Sequence, residues 1–361
     1  MKKTLFTLVI LLSSFLIKAQ EKTYSEEEVS YWNLTDSVKI GGTLTIPNKQ
    51  GKFPATLLIT GSGQQDRDET LMGHKPFKVI AEYLSEKGIA VLRVDDRGKG
   101  KSTGKFSKST GTDFVKDVLA GIEFLKNRSE INSTKIGLLG HSEGGSLAPE
   151  VAVKSKNVAF IVSMAGTAVN GLDLLIKQNY EIQKSVKPDT VLLNQYLNHF
   201  YRPMMEELTK NNETKTIIKN TILHMGNFRK LVGDYNYKKH LHFPPHDSTM
   251  AKIIIGQVNN PWFKSFIQNN PSEYWQKVTC PVLALNGTKD LQVDAEINLN
   301  AIEESLKKAE NKRYKMVRLN GVNHLFQVAK TGSIDEYSQK TDTPTKETLQ
   351  IIGDWILEVM K

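Results

Sequence analysis

Hydrophobic positions along the chain follow two different periods. From Tyr24 to Pro47, VSYWNL and VKIGGTLTIP alternate apolar and polar residues around Gly41 and Gly42, which predicts an antiparallel ribbon at the start of the fold. The pattern then changes. ATLLITGSG from Ala55, IAVLRVDDRG from Ile89, KIGLLG from Lys135, VAFIVSMAG from Val158, CPVLALNG from Cys280 and RYKMVRL from Arg313 read as short strands, most of them too apolar to keep a wet face. Between them, apolar residues recur at helical spacing: Phe77, Ile80, Ala81 and Leu84; Phe114, Val118, Gly121, Ile122 and Leu125; Ala295, Leu299, Ile302 and Leu306. Leu349, Ile352, Ile356 and Val359 make the stripe of a last helix, for which Thr343 and Pro344 offer a start. Buried strands alternating with amphipathic helices predict an α/β fold, a mostly parallel central sheet with helices on both faces.

The alternation stops near Ala168 and resumes at Cys280, leaving a gap far longer than the ~4 to 6 residues of an ordinary connection. Within it TVLLNQYLNHFYRPMMEEL, TKTIIKNTIL and AKIIIGQV carry helical spacing, while PPHD and NNP supply breaks. A helical cap inserted between two late strands is expected over 168–277, dividing the core into 21–167 and 278–361. Trp262, Phe263 and Phe266 in the cap are suited either to lining an apolar pocket or to burying the cap's own core.

Residues 1–20 read differently. A basic start, an apolar run from Leu5 to Leu16 and a small residue at Ala19 make a secretory signal peptide, and the run is shorter than the ~20 residues that span a bilayer. The mature chain is expected outside the cytoplasm, without stable membrane insertion. The net charge of +9 includes Lys2, Lys3 and Lys18 of that leader, and the remaining basic residues are interleaved with acids, which argues against a nucleic-acid groove. The single cysteine, Cys280, excludes an intramolecular disulfide and begins an apolar run, so a buried structural thiol is expected.

Candidate chemistry centres on KIGLLGHSEGG. Gly140-His141-Ser142-Glu143-Gly144 satisfies G-x-S-x-G at the end of a strand and ahead of a helix-compatible segment, the setting of a nucleophile elbow. A serine hydroxyl is a poor nucleophile and needs a base, an acid to hold the base, and donors for an oxyanion. His324, in a Gly-Val-Asn-His loop after the final strand, is the expected base; Asp290, directly after LALNGTK, is the expected acid. His141 adjoins the serine, but the elbow turns its side chain away. Asp95 and Asp96 are weaker acids for the role, since DDRGKGKSTG reads as a tight loop in which Arg97 and an Asp pair. The backbone N–H groups of Glu143 and Ser62 are the expected oxyanion donors, with Gln64 the second choice in that loop, and the Glu143 side chain is given no role. His240, His242 and His246 lack the helical i, i+4 spacing of zinc hydrolases, so no metal is expected, and GKGKS at 98–102 fails as a phosphate loop because Asp95 stands where its first glycine belongs.

Taken in order, ITGSGQQDRDE, VDDRGKGKSTG, LLGHSEGG, NPWFKSF with PVLALNGTKDLQV, and LNGVNHLFQ resemble the α/β-hydrolase superfamily, and within it the capped bacterial esterases related to the S33-type serine aminopeptidase group. The resemblance implies ester or amide hydrolysis through an acyl-enzyme, without metal or organic cofactor, and a small-molecule ester is the expected substrate. Aminopeptidase or amidase action of the S33 type is the alternative, and a non-catalytic binding protein on the same fold a further one. Thr60 departs from the family pattern, standing where many relatives carry the histidine of a His-Gly motif. Glu206 and Glu207 are the best sequence candidates for the acidic anchor an aminopeptidase needs, although a solvated helix face is the expected setting for both.

Overall fold

The structure is a computed structural model that describes residues 22–186, 189–210, 213–241 and 247–361. The expected leader lies outside these residues, as do His242, His246 and the side chain of His240.

An antiparallel ribbon, β1 (Tyr24–Asn33) and β2 (Val38–Pro47), precedes β3 (Phe53–Ile59), α1 (Pro76–Glu86), β4 (Ala90–Val94), α2 (Gly111–Lys126), β5 (Ile131–His141), α3 (Glu143–Lys154) and β6 (Ile161–Met164). Among the described residues, α4 (Gly171–Val186), α5 (Thr190–Tyr196), α6 (Arg202–Thr209), α7 (Thr214–Leu241, broken at Gly233), α8 (Asp247–Val258), α9 (Pro261–Gln268) and α10 (Ser272–Trp275) follow before the next strand, with a π-helical turn at Leu197–Tyr201 joining α5 to α6. The core then closes with β7 (Val282–Gly287), α11 (Ala295–Lys308), β8 (Tyr314–Leu319) and α12 (Lys346–Val359). The eight strands of the described residues form one sheet in the order β1-β2-β4-β3-β5-β6-β7-β8. β2 runs antiparallel to β1 and β4, and every pairing from β4 to β8 is parallel.

Strand alternation sorts the core into two layers. Leu57 and Leu138 face α2, α3 and α11, packing with Ile122, Leu147 and Ile302. Their neighbours Leu58 and Leu139 face α1 and α12, packing with Phe77, Ile80 and Ile352. Because both faces are covered, the central parallel strands are mostly apolar, as the sequence pattern predicts, whereas the edge strand β8 carries Lys315 and Arg318 and is only partly buried. α12 begins two residues later than the sequence suggested: Thr345, following Pro344, caps it by accepting the Thr348 N–H at 3.2 Å.

The helical insertion has a core of its own, built on Phe200, Met204, Met205, Ile217, Phe228 and Ile255. The start of α4 meets the end of α9, with the Gly171 N–H donating to the Asn269 carbonyl at 2.9 Å. Among the described residues no helix is long and apolar enough to cross a membrane.

Candidate active site

β5 and α3 meet at Ser142, whose backbone sits at φ 53°, ψ −117°, a strained conformation for a residue with a side chain. Two glycines make the turn sterically feasible. A Cβ at Gly140 would lie 2.2 Å from the Gly144 carbonyl oxygen, and one at Gly144 would lie 2.1 Å from that of Ile59, so neither position admits a side chain. The elbow lifts the Ser142 hydroxyl to the carboxyl edge of the sheet, where the loops after β7 and β8 also emerge.

These loops bring the three residues singled out from sequence together. His324 Nε2 lies 3.2 Å from Ser142 Oγ, and His324 Nδ1 lies 2.7 Å from Asp290 Oδ2. The other carboxylate oxygen of Asp290 accepts the Gln292 and Val293 N–H groups, each at 2.8 Å, so the acid is buried but fully partnered. In the His324 loop, Asn323 Oδ1 accepts the Leu325 and Gln327 N–H groups at 3.0 Å, which fixes the turn that presents the imidazole. With Nδ1–H donated to a carboxylate, the Nε2 lone pair faces the serine hydroxyl.

The remaining candidates sort by their partners. Both ring nitrogens of His141 are engaged away from the serine, Nδ1 with Glu69 Oε1 and Nε2 with the His324 carbonyl, each at 3.0 Å. Asp95 pairs with Arg67. Arg97 does meet aspartates, but these are Asp36 and Asp117 rather than either neighbour in its own loop. Asp96 accepts from the Thr60 hydroxyl and the Gln65 N–H, each at 2.7 Å, which gives Thr60 a structural task at its departure from the family pattern. In the loop after β3 the Gly61 N–H is donated to Glu69 Oε1 at 2.6 Å, while Ser62 lines the same cavity as Ser142.

The Glu143 side chain is not idle, as the sequence reading had it. It is buried, and both carboxyl oxygens accept from Trp262 Nε1. Burial pushes its pKa up to about 7, against the hydrogen bonds from Trp262 and Ser62. Asp96 is likewise pushed up to about 7, first by desolvation, with the Glu143 and Glu69 charges adding to it. Nothing in sequence spacing signals the Glu143 contact, because Trp262 stands 119 positions away.

In front of Ser142 lies a cavity of about 200 Å³ walled by Leu174, Leu175, Trp262, Phe263, Phe266 and Leu325, with Gln65, Gln178 and Gln292 as polar lining. Phe263 and Phe266 also pack on the cap's core, so the two roles offered for the cap aromatics coexist. Glu207 is buried, bonded to Lys210 and Asn220, which corrects its assignment to a solvated face; neither it nor Glu206 lines this cavity. Cys280 is half-buried, and burial pushes its thiol up to about 12, which keeps it un-ionised near neutral pH. Among the described residues no group of three or more His, Cys, Asp or Glu side chains is placed to hold a metal ion.

Sheet order, elbow and strand-end loops are those of the α/β-hydrolase fold. The family model described as Serine aminopeptidase, S33 matches residues 75–232. In sequence the chain is 40% identical over 115 residues to Esterase EstD of Thermotoga maritima, a match covering 32% of this chain and 27% of that protein. An Escherichia coli protein of 31.7 kDa described as uncharacterized is 23% identical over 58% of this chain and 66% of its own length. The chain thus spans well under two thirds of Esterase EstD. Among solved structures, an esterase of Pyrococcus furiosus aligns with a TM-score of 0.56 at 17% identity, over 94% of this chain and 92% of that one. Acetyl xylan esterase 1 from Thermoanaerobacterium sp. JW/SL YS485 aligns with a TM-score of 0.52 at 13% identity, over 95% and 86%.

Proposed function

We propose that the protein is a serine esterase that hydrolyses small, largely uncharged carboxylic esters through an acyl-enzyme. The observation that carries this reading is the hydrogen-bonded line from Ser142 Oγ through His324 to Asp290, which opens on a mostly apolar cavity. Ser142 Oγ attacks the ester carbonyl as His324 Nε2 takes its proton, and Asp290 steadies the imidazolium. The Ser62 and Glu143 N–H groups receive the oxyanion. His324 then protonates the departing alkoxide, and in a second half-reaction takes a proton from water, which attacks the acyl carbon; the acid leaves and Ser142 regains its hydrogen.

The family description favours a second reading, aminopeptidase action. A free amino terminus needs a carboxylate to meet it, and Glu69, the one acidic lining residue among those described, is already bonded to Gly61 and His141. That supports the ester. Rates on p-nitrophenyl acetate and butyrate against aminoacyl and prolyl p-nitroanilides test the choice, the esters being expected to show the higher kcat/KM. Ser142→Ala, confirmed as folded, should lose nearly all of this activity; retention above a few per cent would remove the serine from the mechanism.

The basic, short apolar leader supports an extracytoplasmic site of action after cleavage near Ala19 or Gln20. N-terminal sequencing of exported protein should begin near Gln20 or Glu21, and an intact Met1 would refute cleavage.

A further inference from the structure

Two buried titratable side chains beside the nucleophile, Glu69 and His141, take no part in the proposed proton transfers. His141 ends β5, one residue before Ser142. Its Nε2 lies 3.0 Å from the backbone oxygen of His324, and since a carbonyl only accepts, Nε2 carries a hydrogen. Its Nδ1 lies 3.0 Å from Glu69 Oε1, the same oxygen that accepts the Gly61 N–H at 2.6 Å. An ionised carboxylate serves both donors at once, which leaves a hydrogen on Nδ1 as well. The two contacts of Glu69 Oε1 fit an imidazolium–carboxylate pair. Burial works against the charged ring, but the Glu69 carboxylate and the His324 carbonyl outweigh it, and the His141 pKa stands above the ordinary imidazole value.

Position gives the pair its meaning. Glu69 belongs to the loop after β3 and His324 to the loop after β8, at the far edge of the sheet, so His141 joins by two hydrogen bonds what the topology keeps apart. Glu69 itself sits at φ 52°, a left-handed backbone unusual for its residue type. The packing at the other end is equally tight: a Cβ at Gly61 would meet Glu69 Oε1 at 3.0 Å and Ser142 Cβ at 3.2 Å. The charged or titratable groups facing the pair are His324, its ring centroid 4.9 Å from that of His141, with Asp290 and Asp96 acting at longer range.

We infer that Glu69 and His141 are positioning residues: a charged clasp that holds the oxyanion loop at Gly61 in register with the backbone of His324, so that the Ser62 N–H and the His324 imidazole keep one spacing around Ser142 Oγ. The inference rests on the esterase reading above. It assigns the residue before the nucleophile a task the serine chemistry alone does not require.

The test uses the full chain with Glu69→Gln and His141→Gln, singly and together, checked for folding by circular dichroism. Misplacing the loop or the ring by a fraction of an ångström is expected to lower kcat on p-nitrophenyl acetate by about 10- to 100-fold while KM stays within about twofold. Affinity for an alkylboronic acid, whose tetrahedral adduct needs the oxyanion donors, should fall in step with kcat. The double variant should be no worse than the poorer single one, because the two side chains act as a unit. Folded variants with kcat within about twofold of the parent, or a double variant whose loss multiplies those of the singles, would overturn the clasp. Should the variants not fold, nitrogen-15 spectra of the histidines in the parent protein decide: both His141 nitrogens protonated from pH 6 to 8 supports it, and a neutral ring overturns it. Ser142→Ala run in parallel separates failures, since activity surviving there defeats the esterase reading rather than the clasp.

Discussion

Trp262 Nε1 donates to both carboxyl oxygens of Glu143, at 3.0 and 3.2 Å, and so ties α9 of the helical insertion to the residue after the nucleophile. Replacement by phenylalanine keeps an aromatic ring against Phe106, whose centroid lies 5.4 Å away, and removes only the N–H. Because the acceptor is buried, Trp262→Phe should cost about 1–3 kcal/mol in chemical denaturation and move the Glu143 titration further up, read by carboxyl carbon-13 shifts. A variant as stable as the parent, with the same titration, would mean that the indole N–H contributes nothing.

Asp290→Asn should fold normally yet turn over esters about 10⁴-fold more slowly, since an amide in place of the carboxylate favours the wrong imidazole tautomer. Steady-state kinetics on p-nitrophenyl esters check it. Parent-like turnover would reopen the search for the acid at Asp96.

Glu143 and Asp96, both raised to about 7 from ordinary values of 4.5 and 3.8, make stability depend on pH in a definite direction. Between the ordinary carboxyl range and about pH 7 the folded chain holds protons that the unfolded chain has lost, so these groups make unfolding easier as pH rises and have no further effect above it. Urea unfolding at pH 5, 6, 7 and 8 should show that decline. Glu143→Gln should flatten it by up to about 3 kcal/mol, the linkage value of its full shift. Equal slopes for parent and variant would refute the burial argument.

Gly144→Ala should lower stability by at least about 3 kcal/mol, because the new methyl would meet the Ile59 carbonyl oxygen at 2.1 Å and neither β3 nor α3 is free to move. Gly226, in α7, has nothing within 4 Å of its would-be Cβ. There the same substitution should raise stability by about 0.5–1 kcal/mol through helix propensity alone. Melting temperatures of the two variants give the contrast.

Much of this site was legible in the sequence because each of Ser142, Asp290 and His324 follows a short apolar strand, and parallel strands deliver their carboxyl ends to one edge. What stayed hidden was pairing. His141 looked like a bystander, since Glu69 is 72 positions away and the His324 carbonyl 183, and the distances that engage its nitrogens are properties of the folded sheet. The carboxylate of Glu143 was invisible for the same reason. Arg97 shows the converse error: a nearby aspartate in sequence suggested a partner, while the fold supplied Asp36 and Asp117 from other elements. Local signals place backbone; buried charge is settled by whichever groups the topology brings within reach.

The hydrogen bond between the Gly171 N–H and the Asn269 carbonyl means that the chain leaves the sheet and returns to it through a single doorway. The described helices between those residues are anchored at that doorway, as a drawer is by its rails, and further in by the bonds of Gln178 to Gln292 and of Trp262 to Glu143. Directed evolution confined to 172–268, with Trp262 kept for its bond to Glu143, can therefore reshape the Phe263 and Phe266 wall while the strand register from β5 to β8 is inherited unchanged.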